Sequence, residues 1–188
     1  MKLYFITSSE NKVKEAESIL GFEIDKISLD INEIQALEVE KVVEDKAKMA
    51  FEQVKKPIMV EDTGFYIEAW QGFPGALVKW ILKTLDNEGL CLAFQEKNRA
   101  VTAKTSICIY NGEKARVFTG EIKGQIPERP KGEGGFGWDS IFQPEGHNKT
   151  FAEMSQKEKD SISMRKIALN KMKQFLEADP EFLQRIKR

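Results

Sequence analysis

Two adjacent carboxylates follow an apolar run. Ile58, Met59 and Val60 lead directly into Glu61, Asp62, Thr63 and Gly64. Acids placed straight after buried apolar residues need a partner, because an unpaired charge in an apolar setting is costly. In open α/β sheets, ligands bind beyond the carboxyl ends of the strands. Mg²⁺ is typically held there by one or two carboxylates together with substrate phosphates. Adjacent side chains on a strand point to opposite faces, so the two acids have different jobs unless the strand has ended. The plain alternative is a turn, with Asp62 bonding the backbone ahead of Gly64.

Other residues offer complementary charge. Thr7, Ser8, Ser9, Glu10, Asn11 and Lys12 lie between an apolar run and a helical pattern. Hydroxyls and backbone N–H groups at a helix N-terminus suit phosphate, and Lys12 adds a mobile cation. The segment has no glycine and is not a Walker loop; an ordinary polar turn would read the same way. Lys46 interrupts an apolar stripe between Val43 and Ala50, as Arg165 does between Ile162 and Leu169. Such cations either snorkel out or reach an anion. Lys159 shares the Arg165 face if one helix carries both.

The segment Lys131–Asp139 contains G-x-G-x-x-G at Gly132, Gly134 and Gly137. A dinucleotide fingerprint needs a strand before it and a helix after, whereas this one leaves a Pro-rich loop and enters an apolar run. What remains is a loop with Phe136, Trp138 and Asp139, able to stack on a base and accept from its N–H groups. Core packing is the competing role for the two aromatics. His147 is the sole histidine, in a Gly/Asn loop with no partner nearby, so triad chemistry and a histidine metal site are set aside.

These groups need a scaffold. Leu3–Thr7 reads as a buried strand, and residues 12–20 as a helix closed by Gly21. Residues 22–34 read as a weaker strand and loop. A long helix is expected from Ala36 to Lys55, with Pro57 after it. Ile58–Val60 is a second strand, ending at the acids. Helices are expected over Ala76–Leu85 and Leu90–Gln95. Val101–Tyr110 and Ala115–Ile122 form a hairpin around Asn111-Gly112. Trp138–Phe142 reads as a strand. Ser155 and Glu158 make a capping box for one long helix to Ala178, with a short amphipathic tail at Phe182, Leu183 and Ile186 after Pro180. Strand, loop and helix in that order open an α/β fold. No linker divides the chain, so residues 1–188 are expected to form a single domain.

The 188 residues carry 29 basic and 30 acidic side chains, a net charge of −1. That excludes a polybasic nucleic-acid coat and an acidic tail. The balance conceals a gradient: residues 149–188 hold ten basic and six acidic groups. Cys91 and Cys108 make no zinc or disulfide pattern and fit a reducing cytosol. No stretch has the length and apolarity of a membrane span.

Taken together, the segments VEDTGF (60–65), FPGALVKW (73–80), FGWDSIFQPEG (136–146) and TFAEMSQKEKDSIS (150–163), with Arg165, resemble the inosine triphosphate pyrophosphatase family. The opening ITSSENKVKE is similar to the family's strand-loop-helix start. The resemblance implies a bent mixed β-sheet flanked by helices, with two lobes and a deep central cleft. It implies Mg²⁺-dependent hydrolysis of ITP, dITP and XTP to the monophosphate and pyrophosphate by a homodimer; the free thiols, the charge balance and the lack of an apolar span add the expectation of a cytoplasmic protein with no stable nucleic-acid or membrane partner. Carried over by position, Lys12 and Lys46 resemble the phosphate-binding lysines, with Thr7 and Ser8 beside them. Glu33 resembles a metal carboxylate, and Asp62 the catalytic acid, with Glu61 next to it; the resemblance implies Mg²⁺ on Glu33, Glu61 or Asp62. Phe136, Trp138 and Asp139 resemble the base-recognition loop, and Lys159 and Arg165 the base contacts of the last helix. Two positions depart from the pattern. Ser9 stands where the family has Asn, and Met164 where it has a base-contacting His; a thioether packs on rings but donates no hydrogen bond. Base selectivity is therefore open, and a Maf-like or broader nucleotide pyrophosphatase is the alternative enzyme. A non-catalytic nucleotide- or RNA-binding module is opposed by the acidic pair, which repels phosphate without a metal.

Overall fold

The computed structural model describes residues 3–94 and 98–187. In chain order the elements are β1 (Tyr4–Ile6), α1 (Glu10–Leu20), β2 (Asp25–Ile27), α2 (Val39–Val54), β3 (Ile58–Ile67), β4 (Pro74–Gly75) and α3 (Val78–Ala93). They continue with β5 (Ala100–Tyr110), β6 (Ala115–Gln125), β7 (Gln143–Pro144), α4 (Gln156–Ile162), α5 (Met164–Ala178) and α6 (Pro180–Lys187). The strands form one mixed sheet in the order β2-β1-β3-β5-β6-β7, with β4 beside β3. The β1–β2 and β1–β3 pairings are parallel and the others antiparallel. The expected α/β class with a mixed sheet is thus observed.

Three apolar clusters hold the sheet. Leu3, Phe5, Met59, Ile107 and Ile109 pack under α1 and α5 on one face. Ile58, Val60 and Cys108 pack under α2 on the other. The far end of β3 and β5 joins α3 and the Trp138–Phe151 region through Phe65, Ile67, Val101 and Ala103. Between these clusters a polar belt crosses the long strands. Asp62 pairs with Ser106, Thr63 with Thr105, and Ser106 with Thr119. Thr105 and Ser106 are buried, and Ser106 Oγ lies 2.7 Å from Thr119 Oγ1, so the belt is satisfied within itself.

Four expectations are corrected. The strand expected to end at Val60 runs on to Ile67, because β5 pairs with it throughout. The long last helix is broken at Ser163, which ends α4 and caps α5 by accepting from the Lys166 N–H at 3.1 Å. Trp138–Phe142 is a 3₁₀ turn at Asp139–Ile141, not a strand; backbone bonds to Phe136 and Trp138 close it locally. The expected hairpin is present: its loop is residues 111–114, where Asn111 Oδ1 accepts from the N–H groups of Glu113 and Lys114. The two helices expected over 76–95 share α3, kinked where Asp86 adopts φ 53°. Gln95 and the side chain of Ile186 lie outside the described residues.

Candidate active site

The continuation of β3 through the acids decides the site. Since the strand has not ended, Glu61 and Asp62 point to opposite faces. Neither β1 nor β4 covers the other edge of β3 throughout. β1 is in register only with Ile58 and Met59, and β4 only with Phe65 and Tyr66. Residues 60–64 therefore present an edge between the two.

On one face, Glu61 is buried and held by two cations. Lys12 Nζ lies 2.8 Å from Oε1, and Arg165 donates from Nε to Oε2 at 2.9 Å and from Nη2 to Oε1 at 3.1 Å. Arg165 Nη1 also donates to Glu15 Oε2 at 3.2 Å. Burial pushes the Glu61 carboxyl up, but the Arg165 and Lys12 charges outweigh it and hold it below the usual range. Burial by itself would lower the Arg165 value; Glu61 and Glu15 drive it higher still. For Glu15 burial wins, and its carboxyl is raised despite Arg165.

Beside this network is a cavity of about 470 Å³, walled by Thr63, Val78, Leu82, Trp138, Phe151 and Met164, with Lys12, Lys79, Lys83, Lys159 and Arg165 as cations. That size and apolar lining suit a nucleoside. Trp138 is buried, packed against Phe65 and Phe142, whereas Phe136 is 72% exposed. The two aromatics of the loop thus divide between core and surface. Asp139 Oδ2 accepts from the Phe136 N–H at 2.8 Å and from Lys159 Nζ at 2.5 Å. The Lys159 ammonium also lies 4.9 Å from the Phe136 ring centre, so one buried carboxylate sets both loop and lysine. Lys159 and Arg165 stand on different helices, yet α4 and α5 bring them to one cavity.

On the other face Asp62 shares a cavity of about 280 Å³ with Glu33, Val42, Leu77, Lys79 and Trp80. Lys46 Nζ lies 2.5 Å from Glu33 Oε1. Burial raises the Asp62 carboxyl to about 6; Lys46 opposes the rise, and the charges of Glu33 and Glu61 add to it. Glu33 and Asp62 can offer oxygens to a hard cation from this side. Glu61, the third carboxylate expected at a metal, is turned to the opposite face. Among the described residues no three His, Cys, Asp or Glu cluster as a metal cage.

Thr7 and Ser8 line neither cavity. The Thr7 N–H is bonded to Ile27 C=O at 3.0 Å, and Thr7 Oγ1 accepts from the Ser9 N–H at 3.1 Å. Ser9 is the N-cap of α1, its hydroxyl accepting from the Lys12 N–H. Lys79 was missed by sequence reasoning. It lines both cavities, as neighbouring Thr63 and Asp62 of β3 line one each, and has no ion pair among the described residues. Its signal was its place in FPGALVKW beside Trp80. His147 lines a separate open cavity with Glu68, Arg99 and Gln143.

The family model of the Ham1 family matches residues 3–175. A "dITP/XTP pyrophosphatase" of Thermococcus kodakarensis is 41% identical over 180 residues, covering 94% of this chain and 97% of the relative. An "Inosine triphosphate pyrophosphatase" of Schizosaccharomyces pombe is 39% identical over 182 residues, covering 94% and 96%. Among solved structures, a HAM1 protein from Coxiella burnetii superposes with a TM-score of 0.79 at 24% identity, over 95% of this chain and 99% of that one, which shows the shared fold.

Proposed function

The chain belongs to the Ham1 family, and from that premise we propose that it hydrolyses the deaminated purine nucleotides ITP, dITP and XTP to the nucleoside monophosphate and pyrophosphate. The curated relatives named for these substrates support the reaction. The observation that carries it to residues is that two unlike cavities share Lys79 and take adjacent residues of β3, Thr63 and Asp62, into their walls. One is apolar and nucleoside-sized; the other is lined by carboxylates; Lys79 walls both. A nucleotide seated in the first extends its triphosphate across the edge towards the second.

In this reading the base lies against Trp138, Phe151 and Met164. Lys159 and Arg165 supply donors for the O6 acceptor of hypoxanthine or xanthine, a match that adenine's amine cannot make. Glu61 is kept out of the chemistry; its two cations absorb its charge, and it holds Lys12 and Arg165 in place. Lys12, Lys46 and Lys79 bind phosphate oxygens and stabilise the charge that develops on them. Asp62 accepts the proton of the water that attacks the α-phosphorus. The new P–O bond forms as the bond to the bridging oxygen breaks, and pyrophosphate leaves. Glu33 and Asp62 would hold Mg²⁺; their hard oxygen donors fit it, and bound Mg²⁺ neutralises and orients the triphosphate. The protein is further proposed to be a homodimer, as the family resemblance implies, and cytoplasmic, as its two free thiols suggest; sedimentation equilibrium tests the dimer. No helix among the described residues is long and apolar enough to cross a membrane.

Phosphate release from ITP, XTP, dITP, GTP and ATP, coupled through added inorganic pyrophosphatase with Mg²⁺, tests the assignment. Deaminated purines are expected to turn over fastest. Equal turnover of ATP and ITP would remove the specificity claim, and activity unchanged in Asp62→Asn would remove the role of Asp62.

A further inference from the structure

Tyr66 stands on the Asp62 face of β3, four residues further along the strand. Its hydroxyl accepts from the Val39 N–H at 2.8 Å and donates to the Leu37 C=O at 3.0 Å. Both partners flank Glu38, the N-cap of α2, whose own side chain caps nothing. The first N–H groups of a helix lack intrahelical partners, so the hydroxyl does work that the cap leaves undone. Leu37 C=O also accepts from the Ala76 N–H at 2.9 Å. Gly75 lies so close that a Cβ there would meet this oxygen at 2.3 Å. The Tyr66 ring lies back over Gly64, where a Cβ would come within 2.6 Å of it. Glycine at position 64 therefore lets the ring lie along the strand, and glycine at 75 lets the 31–38 segment dock.

The segments that carry Glu33, Lys46 and Asp62 are joined at the Tyr66 hydroxyl. Glu33 lies four residues before Leu37, Lys46 lies on the helix that starts at Val39, and Asp62 lies on the strand that carries Tyr66. We infer that Tyr66 is a positioning residue of the carboxylate cavity, its hydroxyl fixing the 31–38 segment and the start of α2 onto β3 and so setting Glu33 against Asp62. The inference rests on the reading of Glu33 and Asp62 as the metal-holding pair.

The test is Mn²⁺ binding to substrate-free protein, followed by electron paramagnetic resonance, in wild type, Tyr66→Phe, Asp62→Asn and Glu33→Gln. Tyr66→Phe keeps the ring, and its hydroxyl bonds lie near solvent where water can replace them, so the fold survives. Loss of a supporting bond to a metal site typically weakens binding by about tenfold; a loss of that size is expected for Tyr66→Phe. The Val39 amide should exchange faster, and binding of IMP in the absence of metal should be unchanged. A Tyr66→Phe protein with a lower melting temperature and the wild-type Mn²⁺ isotherm, beside weakened Asp62→Asn and Glu33→Gln, would make Tyr66 a plain structural tether and overturn the inference. Wild-type Mn²⁺ binding in Asp62→Asn and Glu33→Gln would overturn the metal reading itself, and the inference with it.

Discussion

Asp62 and Glu61 are neighbours whose opposite surroundings give them opposite titration behaviour. Asp62 is raised to about 6 in the fold against an ordinary 3.8, by burial first. A carboxyl raised on folding contributes stability that is lost as pH rises through the folded value. In metal-free protein about 2 kcal/mol should be lost between pH 4.5 and 7.5, most of what a rise of roughly two pKa units carries. Asp62→Asn should show no such slope; urea midpoints in EDTA at pH 4.5 and 7.5 check this, and the variant should have lost most of its activity. Met164 is a second residue-scale case. It is buried in the apolar cluster that includes Trp138 and Phe151, so it serves as packing at a position where the family resemblance implies histidine. Met164→His introduces a donor into the cavity wall and should raise the ratio of ITP to ATP turnover. An unchanged ratio would show that this position does not read the base. Ser9, the other departure, has a local explanation in its capping of α1.

The elements place these residues, and their legibility varied. The Ser155–Glu158 capping box, the Gly21 stop and the α1 and α2 stripes follow from local chemistry and are all present in the structure. The length of β3 was not legible, because Glu61, Asp62 and Gly64 have low strand propensity and only pairing with β5 overrides it. Nor was the break at Ser163, since Ile162 and Leu169 continue the apolar period across it. α5 approaches the sheet closely at Gly120: a Cβ there would lie 2.0 Å from Met164 C=O and 2.7 Å from the Ala168 nitrogen. That contact presses the helix carrying Arg165 onto β6. Gly120→Ala should therefore push α5 outward, costing about 1–3 kcal/mol as overpacking. Denaturant unfolding measures the cost, and a raised KM for ITP reports the displaced Arg165. An unaffected KM would separate the helix position from the site.

Across the whole molecule, Glu61 ties α1, β3 and α5 together through Lys12 and Arg165. Its carboxyl is lowered in the fold, so its contribution is present above the unfolded value and is lost as pH falls through the folded one. Glu61→Gln leaves two cations facing a neutral group, and removing one partner of a buried pair costs about 3–5 kcal/mol. The variant should be that much less stable at pH 7, and the gap should close in acid. Thermal melts from pH 3 to 7 would show it; a constant gap would mean that the loss is packing rather than charge. The charge gradient has the same scale. Lys159 and Arg165 reach buried carboxylates. Lys171 is exposed and donates to the Thr119 C=O at 2.7 Å, while Lys149 pairs with exposed Glu158.

Local chemistry along the chain accounts for the Gly21 stop, the Ser155–Glu158 capping box, the hairpin, the family resemblance and the anomaly of Lys46, Asp62, Lys159 and Arg165. Each is a short-range matter of periodicity, capping or a charge in an apolar stripe. Only the tertiary structure decided which charges meet. Arg165 finds Glu61 across 104 positions, and Lys159 finds Asp139 across 20. Only the fold sends Glu61 and Asp62 to opposite faces and leaves the β3 edge between β1 and β4 for Lys79 to border. The reason is physical: a buried charge must be matched in space, and pairing across a sheet joins residues with no local signal in the chain.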